Sequence, residues 1–174
     1  IGSGSSGNCF YLGTEDYGIL IDAGIPVRTI KGALKDVGLD FERIMGVFVT
    51  HDHADHIKSL GTLGEKYNIP IYATRATHVG INKNYCMTQQ LVSCMRYVEK
   101  DETLKFRDFL ITPFEVPHDG SDNVGYFIEH EDKCFCFITD IGHITATVAS
   151  YIERANYLIL EANYDEEMLA HGPY

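Results

Sequence analysis

The stretch Thr50-His51-Asp52-His53-Ala54-Asp55-His56 constrains this chain more than any other. Three of the eight histidines fall within six residues, with the Asp55 carboxylate between the second and third. The apolar run from Met45 to Val49 precedes it and an amphipathic run follows. A strand is therefore predicted to end at Thr50, with the cluster on the turn into a helix. An ordinary turn uses Gly, Pro, Asn, Asp and Ser and has no use for three imidazoles. Imidazole at this density suits zinc, iron, nickel or copper, and carboxylate admits manganese as well. The spacing adds direction: His51 and His53, two apart, point the same way on an extended backbone. Asp55 and His56 are adjacent, so their side chains are expected to diverge and could serve a second ion.

At 174 residues, with 45% hydrophobic and 22% charged residues, the composition is that of one globular domain, 1–174. No apolar run approaches the roughly 18 residues of a membrane span, and no basic segment precedes an apolar one as in a signal peptide. The five cysteines form no CxxC pair, so reduced thiols and a cytoplasmic location are the expectation. A net charge of -11 argues against a broad basic surface for nucleic acid. Metal ions can nevertheless supply positive charge locally in a nuclease. The chain begins at Ile1 and stops within the loop signal Gly172-Pro173-Tyr174, so it reads as a piece of a longer protein.

Ile1 to Asn8 is rich in Gly and Ser and passes without a break into the strand-like run Cys9 to Leu12. It is read as a backbone loop whose amides approach an anion, in preference to an expression-tag remnant. Two strands around Glu15 to Gly18 make a hairpin ending in Asp22-Ala23-Gly24. Pro26 opens a helix with the stripe Val27, Ile30, Ala33, Leu34 and Val37, and Gly38 ends it. After the histidine cluster, 57–67 reads as a helix, 71–73 as a strand and 75–83 as a helix capped by Thr74. Residues 84–93 have no clear period. Strands then follow at 97–98, 104–106, 109–116, 124–130 and 134–139, a helix over 145–154, and a buried strand over 157–160. Asp165 is expected to start a last helix. His78 and His130 are read as surface residues, and His143 as either a pocket or a surface residue. This order predicts an α/β sandwich, two sheets face to face with helices outside.

Two later residues end strands as the first cluster does: His118, in Val116-Pro117-His118-Asp119, and Asp140, in Ile138-Thr139-Asp140. A HxHxDH cluster, a later strand-end His and a still later Asp resemble the ligand order of the metallo-β-lactamase superfamily. Asp22 matches that superfamily's early aspartate. The runs SGSSGNCFYL, THDHADH, VPHD, ITDIGH and LEANYD together are similar to the YycJ/WalJ (VicX) group, cytosolic hydrolases with DNA exonuclease activity.

The resemblance implies a metallo-β-lactamase-type αββα sandwich whose second half is incomplete, because family members continue past this length. It implies two divalent ions, zinc or manganese, with the second held less firmly, or left out, in a piece that lacks the family's further histidine ligand. One ion would take His51, His53 and His118, the other Asp55 and His56, with Asp140 bridging. Ions about 3.5–4 Å apart would hold a hydroxide between them and stabilise the attacking and leaving oxygens of a phosphodiester. Asp55 would also accept or relay a proton. Asp22 and Thr50 are the expected orienting partners of the ligands. Ser5, Ser6 and Asn8 would donate to a substrate phosphate. His171 reads as an exposed helix terminus and not as the family's further histidine ligand, so this piece is expected to be weakly active or inactive.

The expected function is a metal-dependent phosphodiesterase acting on DNA, as an exonuclease. The alternatives are hydrolysis of a small cyclic phosphodiester, thioester or lactone, or a non-catalytic metal-binding module. The expected partners are DNA or a small phosphodiester and no membrane, and an exposed sheet edge would favour pairing with a second copy.

Overall fold

The computed structural model describes residues 1–160. The first sheet runs β1 (Phe10–Gly13), β2 (Gly18–Ile21), β3 (Ile44–Phe48), β4 (Ile71–Ala73) and β5 (Met95–Tyr97) in spatial order. The β1–β2 hairpin is antiparallel and the remaining pairs are parallel. The second sheet comprises β6 (Leu104–Phe106), β7 (Phe109–Glu115), β8 (Val124–His130), β9 (Lys133–Ile138) and β10 (Tyr157–Leu160), in the order β10-β9-β8-β7-β6. Its pairs are antiparallel except β10 with β9. Helices α1 (Val27–Asp36), α2 (Ala54–Ile57) and α3 (Arg75–Lys83) belong to the first half, and α4 (Ala146–Arg154) to the second.

Side chains alternate across each strand, and in the central strands both faces are buried. Ile19, Ile21 and Phe48 meet Phe109, Ile111, Tyr126, Ile128 and Phe137 in the layer between the sheets. Leu20, Val47 and Val49 point the other way, into a core shared with Ile30, Leu34 and Ile81 of the helices. On the far side, Phe127, Cys136 and Ile138 pack with Val148 of α4. This double burial is why the strands read as almost unbroken apolar runs. It gives the expected αββα layering.

Several local expectations change. The helix predicted at 57–67 begins earlier, with α2 at Ala54, and closes as a π-type turn over Thr62–Lys66. Leu60, Leu63 and Gly64 are buried there as expected. Val37 leaves the α1 stripe and is 70% exposed, because it caps the helix C-terminus beyond the last turn that packs. His78 is not a surface residue: it is buried, its Nε2 bonded to the Arg96 carbonyl oxygen, because it extends the Thr74, Thr77 and Ile81 face of α3. His130 is half-buried against the Phe109 ring. The strand 157–160 forms but is not buried: Tyr157, Leu158 and Leu160 are exposed at the sheet edge. The expectations for Glu161 to Asn163, the helix from Asp165 and His171 lie outside the described residues.

Candidate metal centre

The carboxyl ends of β2, β3, β7 and β9 converge, and each delivers one or more of the residues singled out above. Asp22 follows β2, and Thr50 and His51 follow β3. His118 lies beyond β7 and Asp140 beyond β9. The crevice outside the carboxyl ends of strands is where open α/β sheets place ligands. Backbone hydrogen bonds lace these ends together. Asp22 N–H donates to Phe48 O, Ala23 N–H to His56 O, Asn8 N–H to Asp55 O, Val124 N–H to Thr50 O and Gly142 N–H to Pro117 O. The lacing is tight at Gly24, where a Cβ would overlap the Asp55 carbonyl.

His51, His53, His118 and Asp140 present ligand atoms that all lie within 4.8 Å of one another. His118 Nε2 and His53 Nδ1 are 3.3 Å apart, and His51 Nε2 is 3.1 Å from Asp140 Oδ2. That last pair lies outside hydrogen-bonding geometry, so the buried Nε2 of His51 has no hydrogen-bond partner. Ring nitrogens crowded together around a carboxylate, one of them buried and unpartnered, fit a shared divalent cation. His53 takes an extended conformation, which puts its ring beside that of His51, with centroids 4.6 Å apart. Burial lowers the His118 pKa below the ordinary imidazole value, against the opposing pull of Asp140 and Asp119. A neutral imidazole is the form that binds metal. Burial alone would raise the Asp140 carboxyl, but contacts with His51 and His56 outweigh it and hold its pKa well below the usual range.

The orienting partners have specific bonds. Asp22 is fully buried at φ 59°, a left-handed conformation that Asp tolerates better than most residues. Its Oδ1 accepts from Thr50 N–H at 2.8 Å and its Oδ2 from the Thr50 hydroxyl at 2.8 Å. His56 Nδ1 lies 2.8 Å from the same Oδ2. A carboxylate only accepts, so His56 carries a proton on Nδ1. The Thr50 hydroxyl spends its one proton on Asp22, so it accepts from His51 Nδ1 at 2.9 Å. That fixes the His51 tautomer with Nε2 unprotonated and turned toward the cluster. Thr139 adds a bond to the same hydroxyl at 3.2 Å.

Asp55 and His56, expected to diverge, come within 3.5 Å of each other. Both lie in the first turn of α2, where neighbouring side chains are only about 100° apart around the axis. His56 Nε2 also lies 3.0 Å from Asp140 Oδ2. Burial would lower the His56 pKa, but the charge of Asp22 and the bonds to Asp140 and Asp22 outweigh it and raise it to about 10.

Asn8 was expected to face a substrate. It is instead buried with its amide committed: Oδ1 accepts from Gly4 N–H at 2.9 Å, and Nδ2 lies 2.9 Å from His56 Nε2 and 3.4 Å from Asp55 Oδ2. A protonated His56 is thus served by Asp140, a neutral one by Asn8. Ser5 and Ser6 lie exposed on the loop that Asn8 anchors, and His143 is exposed. Sequence reasoning missed Asp52, whose carboxylate joins two loops of the site; nothing in its local sequence signals that partner.

Two five-stranded sheets in an αββα sandwich, with a His/Asp cluster at the strand ends, define the metallo-β-lactamase type of fold. Residues 17–173 match the family model described as the beta-lactamase superfamily domain, and the chain belongs to that family. Among curated relatives, it is 32% identical over 175 residues to exodeoxyribonuclease YycJ of Bacillus anthracis. It is 33% identical over 174 residues to exodeoxyribonuclease WalJ of Streptococcus pneumoniae. Each alignment covers 100% of this chain and 65% of the relative, so the chain spans just under two thirds of those proteins. Among solved structures, Zn(2+)-bound PqqB from Methylobacterium extorquens superimposes with a TM-score of 0.75 at 20% identity, covering 93% of this chain and 62% of that one. The subclass B3 metallo-beta-lactamase BJP-1 of Bradyrhizobium japonicum gives 0.63 at 17% identity, over 84% and 64%.

Proposed function

We propose that this chain carries the metal centre of a metal-dependent hydrolase that cleaves phosphodiester bonds in DNA, as an exonuclease, with two divalent ions. The observation that carries the metal reading is the convergence of His51, His53, His118 and Asp140 around the unpartnered Nε2 of His51. The DNA substrate is supported by the names of the YycJ and WalJ relatives. In this reading His51, His53 and His118 would hold one ion and Asp55 and His56 a second, with Asp140 available to either. Bound zinc or manganese supplies Lewis acidity and brings the pKa of water toward neutrality. The chain's own residues do the rest. Thr50 and Asp22 hold the two buried rings in register. Asp55, with a partly exposed carboxylate, accepts a proton from water in the crevice. Ser5 and Ser6 are exposed and free to donate to a phosphate oxygen.

A cytoplasmic location belongs to the same proposal and is supported by the five unpaired cysteines. No helix among the described residues is long and apolar enough to cross a membrane. Pairing of copies along β10 is the remaining element, supported by its exposed apolar side chains.

The test is degradation of linear duplex DNA in zinc and in manganese by the chain and by its His51→Ala variant. The chain spans 65% of its YycJ and WalJ relatives, so the rate is expected to be low and the ratio between the two proteins is the informative quantity. Metal-dependent release of nucleotides from ends, lost in the variant, is expected. Turnover of a small phosphodiester with intact DNA under both metals would move the assignment to a small-molecule hydrolase.

A further inference from the structure

Asp52 stands between two candidate ligands, and its bonds run away from the crevice, toward other loops. Its Oδ1 accepts from Ser121 N–H at 3.0 Å and its Oδ2 from the Ser121 hydroxyl at 2.5 Å. The Asp52 carbonyl accepts from Asn84 Nδ2 at 2.9 Å, at the end of α3. Gly80 of α3 sits directly against the carboxylate, where a Cβ would overlap Oδ2. Ser121 belongs to the same short loop as His118. Within that loop Asn123 Nδ2 donates to His118 O at 2.7 Å and Asn123 Oδ1 accepts from Gly120 N–H at 3.2 Å. The loop is also tied to α3, through Thr77 Oγ1 on the Asp122 carbonyl at 3.0 Å.

We propose that Asp52 is a positioning residue of the metal centre: through Ser121 it clamps the loop after β7 to the turn after β3, and so sets His118 against His51 and His53. His51 and His53 share one turn and need no such device. His118 arrives from the other sheet, and without a tether its ring has to be ordered when the ion binds. A bidentate carboxylate tether removes that ordering cost before binding. The same tether makes the Gly at position 80 a requirement, because any side chain there would displace the carboxylate. The inference rests on the metal reading above.

The experiment titrates metal-free wild type, Asp52→Ala, Asp52→Asn, Ser121→Ala and Gly80→Ala with cobalt(II), followed by its visible d–d spectrum, and with zinc by competition. Amide exchange at Ser121 is measured in the absence of metal. Loss of such outer partners typically weakens metal affinity about 10–100-fold. Asp52→Ala is expected within that range, with an altered cobalt spectrum and faster exchange at Ser121. Asp52→Asn is expected to recover most of the affinity, because its amide oxygen still accepts from Ser121 N–H and its NH₂ donates to Ser121 Oγ. Gly80→Ala is expected to weaken binding even though alanine favours helix. Equal affinities and spectra for wild type and Asp52→Ala would overturn the proposal alone, as would an Asp52→Asn protein as weak as Asp52→Ala. Absence of cobalt or zinc binding by wild type would overturn the metal reading, and this inference with it.

Discussion

The two halves of the centre are built on opposite principles. Around His51, His53, His118 and Asp140, ligand atoms face one another with no internal partner for the buried Nε2 of His51. Around His56, both ring nitrogens have protein partners: Asp22 on one side, Asp140 or Asn8 on the other. Unpartnered buried polar atoms are costly, and a cation relieves that cost. A site whose donors and acceptors already satisfy each other has less to gain. HxHxDH is a single sequence unit but two physical environments. The first half is poised for an ion, while the second doubles as a structural network under the loops.

Removing Asp22 probes the structural half most severely. Asp22→Ala strips the acceptor from Thr50 N–H, the Thr50 hydroxyl and His56 Nδ1 at a fully buried position. Breaking a buried charged contact by deleting one partner costs about 3–5 kcal/mol, and that loss is expected in urea unfolding of the metal-free chain. An unchanged midpoint would mean that the His56 side is not self-supporting. A pH series sharpens the same point. Because folding raises the His56 pKa to about 10, the folded chain binds the extra proton more tightly than the unfolded one. The stability it contributes is complete below the unfolded value near 6.5 and is lost as pH rises through about 10. In chelator, Tm of wild type should fall between pH 6.5 and 9, while His56→Gln stays nearly flat over that window. Parallel curves would show that His56 is not held protonated.

The buried His78 supplies an opposite slope. Burial lowers its pKa against the pull of its backbone bonds, so the folded chain takes up its proton less readily. Stability tied to it is present above pH 6.5 and lost as pH falls below, a loss that His78→Gln should remove. The smallest effect concerns Ser5 and Ser6. If each donates one bond to a substrate phosphate, replacement by Ala costs about 0.5–1.5 kcal/mol in KM with metal affinity untouched. A change in metal affinity would instead tie that loop to the His56 side.

What the sequence disclosed follows physical lines. Strands β7, β8 and β9 were legible because apolar residues fill both faces. His51, His53, His118 and Asp140 were legible because chemistry-bearing side chains recur at strand ends. Asp22 and Thr50 were legible as neighbours of the cluster, though not the chain of hydrogen bonds by which they reach His51 and His56. The buried contacts of Asn8, Asp52 and His78 were not legible, because their partners lie 48, 69 and 18 residues away and no local pattern announces them. His78 alone left a trace, since it extends the face of Thr74, Thr77 and Ile81 at helical spacing. The exposure of β10 was missed because a short apolar run looks alike whether a sheet edge is covered or open.

The His51 side is expected to take the first ion. Zinc content after desalting, compared among wild type, His118→Ala and His56→Gln, tests it most directly. The prediction is one tightly held ion per chain in wild type and in His56→Gln, and its loss in His118→Ala. Retention of that ion in His118→Ala together with its loss in His56→Gln would place the first ion on the His56 side instead.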